Sequence, residues 1–245
     1  AVQALLAGLW AGLVYGWLAD RRRAPLWRRR IWLLFSCVFF GQLLAGIFLH
    51  SLFLLQGVPH LPVPGLILAG PLYRGGGALF MPGLFAFSLL LVGSAWCSHL
   101  CYLGGWDARA ADTGPRSGRG VPALWRKVRW IMLAASLFLP LCLRLAGLSW
   151  PWALVLALTL GLALLPCALW LSRRLGFPVY CCGICPLGLT ANLLARLSPW
   201  RLRRNGRCTG CGACARGCRY GALRLDGIGK VAGPDWRCTL CRDCM

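Results

Sequence analysis

Five apolar runs of about 20 residues each restrict this chain to one broad architecture. A run of that length crosses a hydrocarbon core as a helix, because a helix satisfies its own backbone polar groups where no water can. The runs are Ala1–Ala19, Ile31–Gly57, Phe80–Leu100, Trp130–Leu148 and Trp152–Leu171. The chain is 58% hydrophobic and 13% charged, with a mean hydropathy of +0.64, a balance far from that of a soluble domain.

Charge fixes the expected orientation. There are 27 Lys+Arg against 6 Asp+Glu, and no Glu, for a net charge of +21. Such an excess suits nucleic acid or an anionic surface. Here the positive residues stand in blocks between apolar runs, so the expected partner is a lipid bilayer and not nucleic acid. Asp20–Arg30 carries Arg21, Arg22, Arg23, Arg28, Arg29 and Arg30, and Gly104–Arg129 carries six more basic residues. Everything after residue 173 is basic too. Val58–Leu79 is rich in Pro and Gly, carries only Arg74 and reads as a loop or re-entrant stretch, and Ser149–Pro151 is a turn. Basic and non-basic segments alternate as five spans require, which puts the N-terminus outside and the C-terminal part in the cytoplasm. Trp10, Trp17, Trp27, Trp32, Trp130, Trp150 and Trp152 lie mostly near span ends, as interface anchors do.

Seven cysteines then crowd the last 38 residues: Cys208-x2-Cys211-x2-Cys214-x3-Cys218 and Cys238-x2-Cys241-x2-Cys244. Zinc sites pair two C-x2-C units across a spacer, and dense cysteines in secreted chains form disulfides. Three cysteines in consecutive C-x2-C steps instead suit a [4Fe-4S] cluster, with the fourth cysteine of a run reaching a second cluster. On that crossover, Cys218 joins Cys238, Cys241 and Cys244, while Cys208, Cys211 and Cys214 await a fourth ligand beyond Met245. Local pairing of Cys208, Cys211, Cys214 and Cys218 is the alternative. The chain therefore reads as a piece of a longer protein. Arg207, Arg216, Arg219, Arg224, Arg237 and Arg242 surround these motifs. They suit raising a cluster's potential, docking an acidic donor, or simply retaining the segment inside.

A second cysteine pattern lies at the ends of the spans. Trp96-Cys97-Ser98-His99-Leu100-Cys101-Tyr102-Leu103-Gly104 and Tyr180-Cys181-Cys182-Gly183-Ile184-Cys185-Pro186-Leu187-Gly188 align at an offset of 84 residues. Each follows a helix pair, which reads as a two-fold parallel repeat. Helical i, i+4 spacing would point Cys97 with Cys101 and Cys181 with Cys185, so four thiols converge. Such a set suits a metal, a cluster or a redox disulfide, or is soft packing. Cys182-x2-Cys185 is an alternative pair, and His99 suits a hydrogen-bond role. Cys37, Cys142 and Cys167, alone in apolar runs, read as packing. His50, His60 and Arg144 sit near the outer ends of spans, where a quinone contact is conceivable.

The twin C-x3-C motifs, each after a helix pair and followed by the C-terminal cysteine runs, resemble the NapH/NosR/CcoG-type membrane polyferredoxins, from about Ile31 onward. Two positions depart from that family's pattern: Tyr102 follows Cys101 where the family has Pro, and Arg219 follows Cys218. The resemblance implies an all-α polytopic membrane bundle of about five transmembrane helices, with two pseudo-repeated helix pairs, followed by a small α+β bacterial-type ferredoxin domain with two [4Fe-4S] clusters. The expected layout is a first helix and basic loop (1–30), a first repeat pair (31–104), a basic loop (105–129), a second repeat pair (130–188), an interfacial helix and linker (189–206) and the ferredoxin (207–245). The location implied is a bacterial or archaeal inner membrane. The function implied is electron transfer between cytoplasmic clusters, an intramembrane cysteine site (with a further Fe–S or metal centre conceivable), and the quinone pool or partner redox proteins of a respiratory chain. Redox maturation or metal reduction for another enzyme's assembly, and redox sensing, are alternatives.

Overall fold

The computed structural model describes residues 2–20, 22–54, 63–74, 79–115, 120–203, 206, 208–225, 231 and 233–244, and among them the chain is mostly helical. In order, α1 spans Val2–Ala19, α2 Ala24–Phe48, α3 Leu66–Arg74, α4 Phe80–Val92 and α5 Trp96–His99. Next come α6 (Tyr102–Asp112), α7 (Ala123–Leu145), α8 (Trp150–Leu175), α9 (Pro186–Leu194) and α10 (Ala213–Gly217). Five stretches of described residues are long and apolar enough to cross a membrane: α1, α2, α4 continued through a 3-10 turn into α5, α7 and α8. This is the architecture of a multi-pass membrane protein.

The helices begin earlier than hydropathy alone suggests. α2 starts at Ala24 with a proline in its first turn, where a missing N–H is harmless, and takes in Arg28, Arg29 and Arg30. α7 starts at Ala123, after Pro122, and takes in Arg126, Lys127 and Arg129. Arginine and lysine are good helix formers with long stems, so these basic turns extend the spans into the interface. Inside 58–79, expected as a loop or re-entrant stretch, the short helix α3 forms and packs against α7.

Only a small share of the spans is buried. Their outward faces are exposed along most of their length, as lipid-facing surfaces are, and α1 buries no residue at all. Burial concentrates at one end, in the connecting segments and the adjoining turns of α4 and α8. Phe85, Leu89, Cys97, Cys101, Leu103, Ala168, Tyr180, Cys185, Leu187 and Ala191 form one cluster there. Val121, Phe177, Val179, Cys182 and Tyr220 form another. The helix expected to lie on the interface is α9, and it is buried: Leu187, Leu189 and Ala191 are fully enclosed, and Asn192 nearly so. Its apolar residues meet α4, α5 and α7. α6, within the expected basic loop, is wedged between α2 and α8.

The α+β ferredoxin domain expected from the sequence is not seen in the described residues. They form no strand; Leu225 and Val231 make one isolated antiparallel bridge, and α10 is a single short turn of helix.

Candidate functional site

The two repeated motifs share a backbone conformation, but not the continuous helix expected of them. α5 stops at His99, and Cys101 is extended (φ −72°, ψ 116°) as the residue capping α6. Cys185 caps α9 in the same conformation (φ −71°, ψ 112°). In each motif the second cysteine's N–H donates to the aromatic residue five positions back, Cys101 to Trp96 at 3.1 Å and Cys185 to Tyr180 at 2.7 Å. This i to i−5 closure opens the turn to π width, a feature that recurs at functional sites. Tyr102 stacks on Phe39 with ring centroids 4.0 Å apart and starts α6, where Pro186 starts α9. The motif's proline is therefore not needed for this turn.

The motifs converge. Cys97, Cys101, Cys181, Cys182 and Cys185 all line one cavity of about 530 Å³. Its floor is membrane-helix and motif residues, and its roof is Tyr220, Trp236 and Thr239 from the C-terminal segment. Burial pushes the Cys101 and Cys182 thiols up to about 12 and raises Cys181 and Cys185 as well, so without a ligand they stay protonated at neutral pH. The Cys185 sulfur accepts the Gly188 N–H at 3.4 Å.

Asp107 positions the second motif from α6. It is fully buried; its carboxylate accepts the Ser172 hydroxyl at 2.5 Å and the Cys181 N–H at 2.8 Å. Burial lifts this carboxyl to about 6, against the opposing pull of those hydrogen bonds. Ser172 in turn receives the Val179 N–H, so one acid and one hydroxyl fix the start of the π turn.

A second, smaller cavity lies in the C-terminal segment. It is lined by Cys218, Cys238, Cys241 and Cys244, the four thiols that the crossover assignment groups together. Tyr220 and Thr239 line both cavities and form the wall between them. Leu240 (φ 53°) and Arg242 (φ 62°) are left-handed on either side of Cys241, and Gly210 (φ 75°) and Gly212 (φ 67°) are left-handed on either side of Cys211. The two cysteine loops therefore curl alike, one with glycine and one with strained residues. The Cys218 sulfur accepts the Ala222 N–H at 3.4 Å. Burial pushes Cys241 up to about 12 and Cys244 to about 11.

The segment is held by ion pairs that the sequence reading missed. Buried Arg28 donates to both oxygens of Asp243 at 3.0 Å and to the Ser98 carbonyl at 3.0 Å. Arg29 reaches Asp112 at 3.1 Å and Asp243 at 3.3 Å, and Arg219 reaches Asp112 at 3.1 Å. Ser98 donates to the Thr239 carbonyl at 2.6 Å. The overlooked signal is scarcity: among six acids in a chain of net charge +21, Asp107, Asp112 and Asp243 serve as anchors.

Other candidates fall elsewhere. Cys208, Cys211 and Cys214 line neither cavity, and Cys211 is exposed, its thiol drawn down by the Ala213 N–H. His50 accepts the Leu52 N–H and caps a short turn, and Arg144 donates to the Leu72 carbonyl. Neither lines a thiol cavity. His99 bonds to Ser98 and to the Ala95 carbonyl. Cys37, Cys142 and Cys167 are exposed on the outer faces of their helices. His60 and Arg207 lie outside the described residues.

Among the described residues no three His, Cys, Asp or Glu side chains are gathered to hold a single metal ion. A tetrahedral zinc site would need four sulfurs about 4 Å apart, from a Zn–S bond of about 2.3 Å. A cubane is gripped at four separate irons, so its thiolates stand wider, around a space rather than a point. Cys218, Cys238, Cys241 and Cys244 all line the smaller cavity, around a space and not a point. Comparison with family models, with curated proteins and with solved structures finds no match for this chain.

Proposed function

We propose that this chain is a membrane-embedded electron carrier, in which Cys218, Cys238, Cys241 and Cys244 hold a [4Fe-4S] cluster and the cavity of Cys97, Cys101, Cys181, Cys182 and Cys185 is the next redox station. When bound, such a cluster supplies one-electron chemistry at a potential set by its surroundings. Cys208, Cys211 and Cys214 belong to a second cluster of the same kind, on the matched curl of their loop.

The observation that carries the reading is the shared wall. Tyr220 and Thr239 line both thiol-lined cavities, so the two cysteine sets adjoin. The surrounding residues do the protein's part. Burial of Tyr180, Leu187, Leu189 and Val179 keeps water from the inner thiols. The N–H groups of Gly188 and Ala222 donate to sulfur, which favours the reduced, more negative state. Asp107 fixes the second inner motif, and Arg28 ties the first motif to the C-terminal cysteine segment through Ser98 and Asp243. The arginine blocks support a cytoplasmic position for the cysteine end, by the positive-inside rule. On this reading the natural partners are a soluble reductant on that side and a quinone or redox protein of the membrane.

The test uses inverted membrane vesicles under anaerobic conditions, with quinol as the donor and the absorbance of the iron–sulfur chromophore as the signal. Quinol should bleach the chromophore in the native chain, and the bleaching should slow at least tenfold in Cys97→Ser and Cys185→Ser. Unchanged rates in both variants would reduce the inner cysteines to packing. A native chromophore that no quinol can bleach would remove the quinone from the scheme.

A further inference from the structure

We propose that the mouth of the larger cavity binds the phosphate of an anionic phospholipid, held by the head of α7, by Arg126, Lys127 and Arg224, and by two buried polar groups, Arg129 and Thr239. The site goes beyond the electron-transfer reading and stands without it, since it lies at the rim of the cavity and the thiols lie on its floor.

The head of α7 carries the wrong charge for a helix start. The positive end of a helix dipole favours acids, yet the first turn of α7 has none, and Pro122 gives it no side-chain cap. Arg126, Lys127 and Arg129 follow instead, so side-chain charge and dipole add at one place. Ala123, Arg126, Lys127 and Arg224 all line the cavity. Among the described residues no carboxylate pairs with Arg126, Lys127 or Arg224. Asp235, the one described acid in the cavity wall, is engaged by Arg237 and by the Trp236 N–H. Free N–H groups at a helix start, beside unmatched cations, form an anion site.

Two buried groups in the same wall lack an acceptor. Arg129 is only 7% exposed; its terminal nitrogens face the Asn192 side-chain oxygen at 3.1 and 3.2 Å, and its Nε has no partner. Its charge is met within the fold: Asp107 is buried, bonded by neutral donors, and within reach of the same Cys182 and Cys185. What Arg129 lacks is an acceptor at Nε, not a counter-charge. Thr239 is only 5% exposed; its carbonyl accepts the Ser98 hydroxyl, which fixes the residue, and its own hydroxyl has no partner. Buried donors left unpaired are destabilising, and both residues line the cavity. A phosphate offers several acceptor oxygens at once and answers both. Lipid is its source because the cavity opens where the membrane begins. Lys127 and Trp130 are exposed and still line the cavity, so it opens on their side. Ile131 follows, 64% exposed, on a helix long and apolar enough to span. A tryptophan at that boundary marks the headgroup level, and basic pockets beside spans take anionic headgroups.

The test titrates the full chain in detergent with phosphatidylglycerol, the anionic probe, and with phosphatidylcholine, the zwitterionic one, and counts bound lipid by native mass spectrometry. The expected result is one tightly held phosphatidylglycerol, preferred to phosphatidylcholine by about tenfold or more. Each basic residue near a membrane surface contributes about fivefold, so Arg126→Gln/Lys127→Gln should weaken binding about 25-fold. Arg173→Gln/Arg174→Gln removes the same charge from exposed residues in the last turn of α8 that line neither cavity, and should bind as the native chain does. Thr239→Val keeps the side chain's shape, loses the hydroxyl and should weaken binding about tenfold. Equal losses in the two double variants would reduce the site to diffuse surface charge and overturn it. Native affinity in Thr239→Val would put the lipid outside the cavity and overturn it too. Phosphatidylcholine held as tightly as phosphatidylglycerol, or no lipid retained at all, would also sink the proposal. Displacement of phosphatidylglycerol by an equal concentration of inorganic phosphate would make this a site for the free anion and remove the lipid.

Discussion

At the residue scale the cysteine sites depend on a few polar side chains placed where hydrophobic packing would otherwise be cheapest. Asp107 is the clearest case. Its carboxyl is raised to about 6 from an ordinary value near 3.8, so between those values the folded chain holds a proton that the unfolded chain has lost. Stability attributable to Asp107 should therefore fall as pH rises from about 4 to about 6 and stay level above, and Asp107→Asn should flatten that slope; thermal unfolding in detergent across this range measures it. The curled loops offer a second test. Gly212 is left-handed at φ 67°, and a Cβ there would also meet Arg216 at 3.0 Å, so Gly212→Ala should destabilise its loop by about 1–2 kcal/mol. Arg242 holds the matching place with a side chain, so Arg242→Gly should be neutral or stabilising locally; hydrogen exchange of the two loops reads both outcomes.

At the element scale, the spans are scaffolding and the connections are core. The apolar runs were legible because a bilayer demands about 20 such residues in a row, and their existence and order follow from that alone. Their ends were not, because Arg28 and Arg129 count as polar in any hydropathy window yet sit buried in helical turns. The convergence of Cys97, Cys101, Cys181 and Cys185 was legible from the repeat, whereas its geometry was not: local spacing implies one continuous helix, and tertiary contacts from Trp32 and Asp107 favour an opened turn. α9 looked interfacial for a related reason, since Asn192 and Arg196 suggest a wet face and only the packed structure gives Asn192 its partner, Arg129. The prediction at this scale concerns docking. Arg28→Ala leaves Asp243 with its exposed contact to Arg29 and should loosen the C-terminal segment by about 3–5 kcal/mol. Limited proteolysis should then cut between residues 198 and 244 much faster than in the native chain. Unchanged cutting would make the ion pair incidental.

At the scale of the whole molecule, two cysteine sets far apart in sequence meet at one end of a helical bundle, where Tyr220 and Thr239 line the cavities of both. Sequence spacing grouped Cys218 with Cys238, Cys241 and Cys244, and the second cavity is lined by that set. Nothing in the spacing revealed that this cavity would adjoin the inner thiols, since that depends on Asp112 and Asp243 finding Arg219, Arg28 and Arg29. The account stands or falls on iron. Iron and acid-labile sulfide should be measured, with low-temperature EPR of the dithionite-reduced state, on anaerobically purified native chain and on Cys218→Ser. The account predicts a [4Fe-4S] signal with matching iron and sulfide in the native chain, and loss of about four irons per chain in Cys218→Ser. A colourless native preparation carrying zinc, or an iron content untouched by Cys218→Ser, would contradict it.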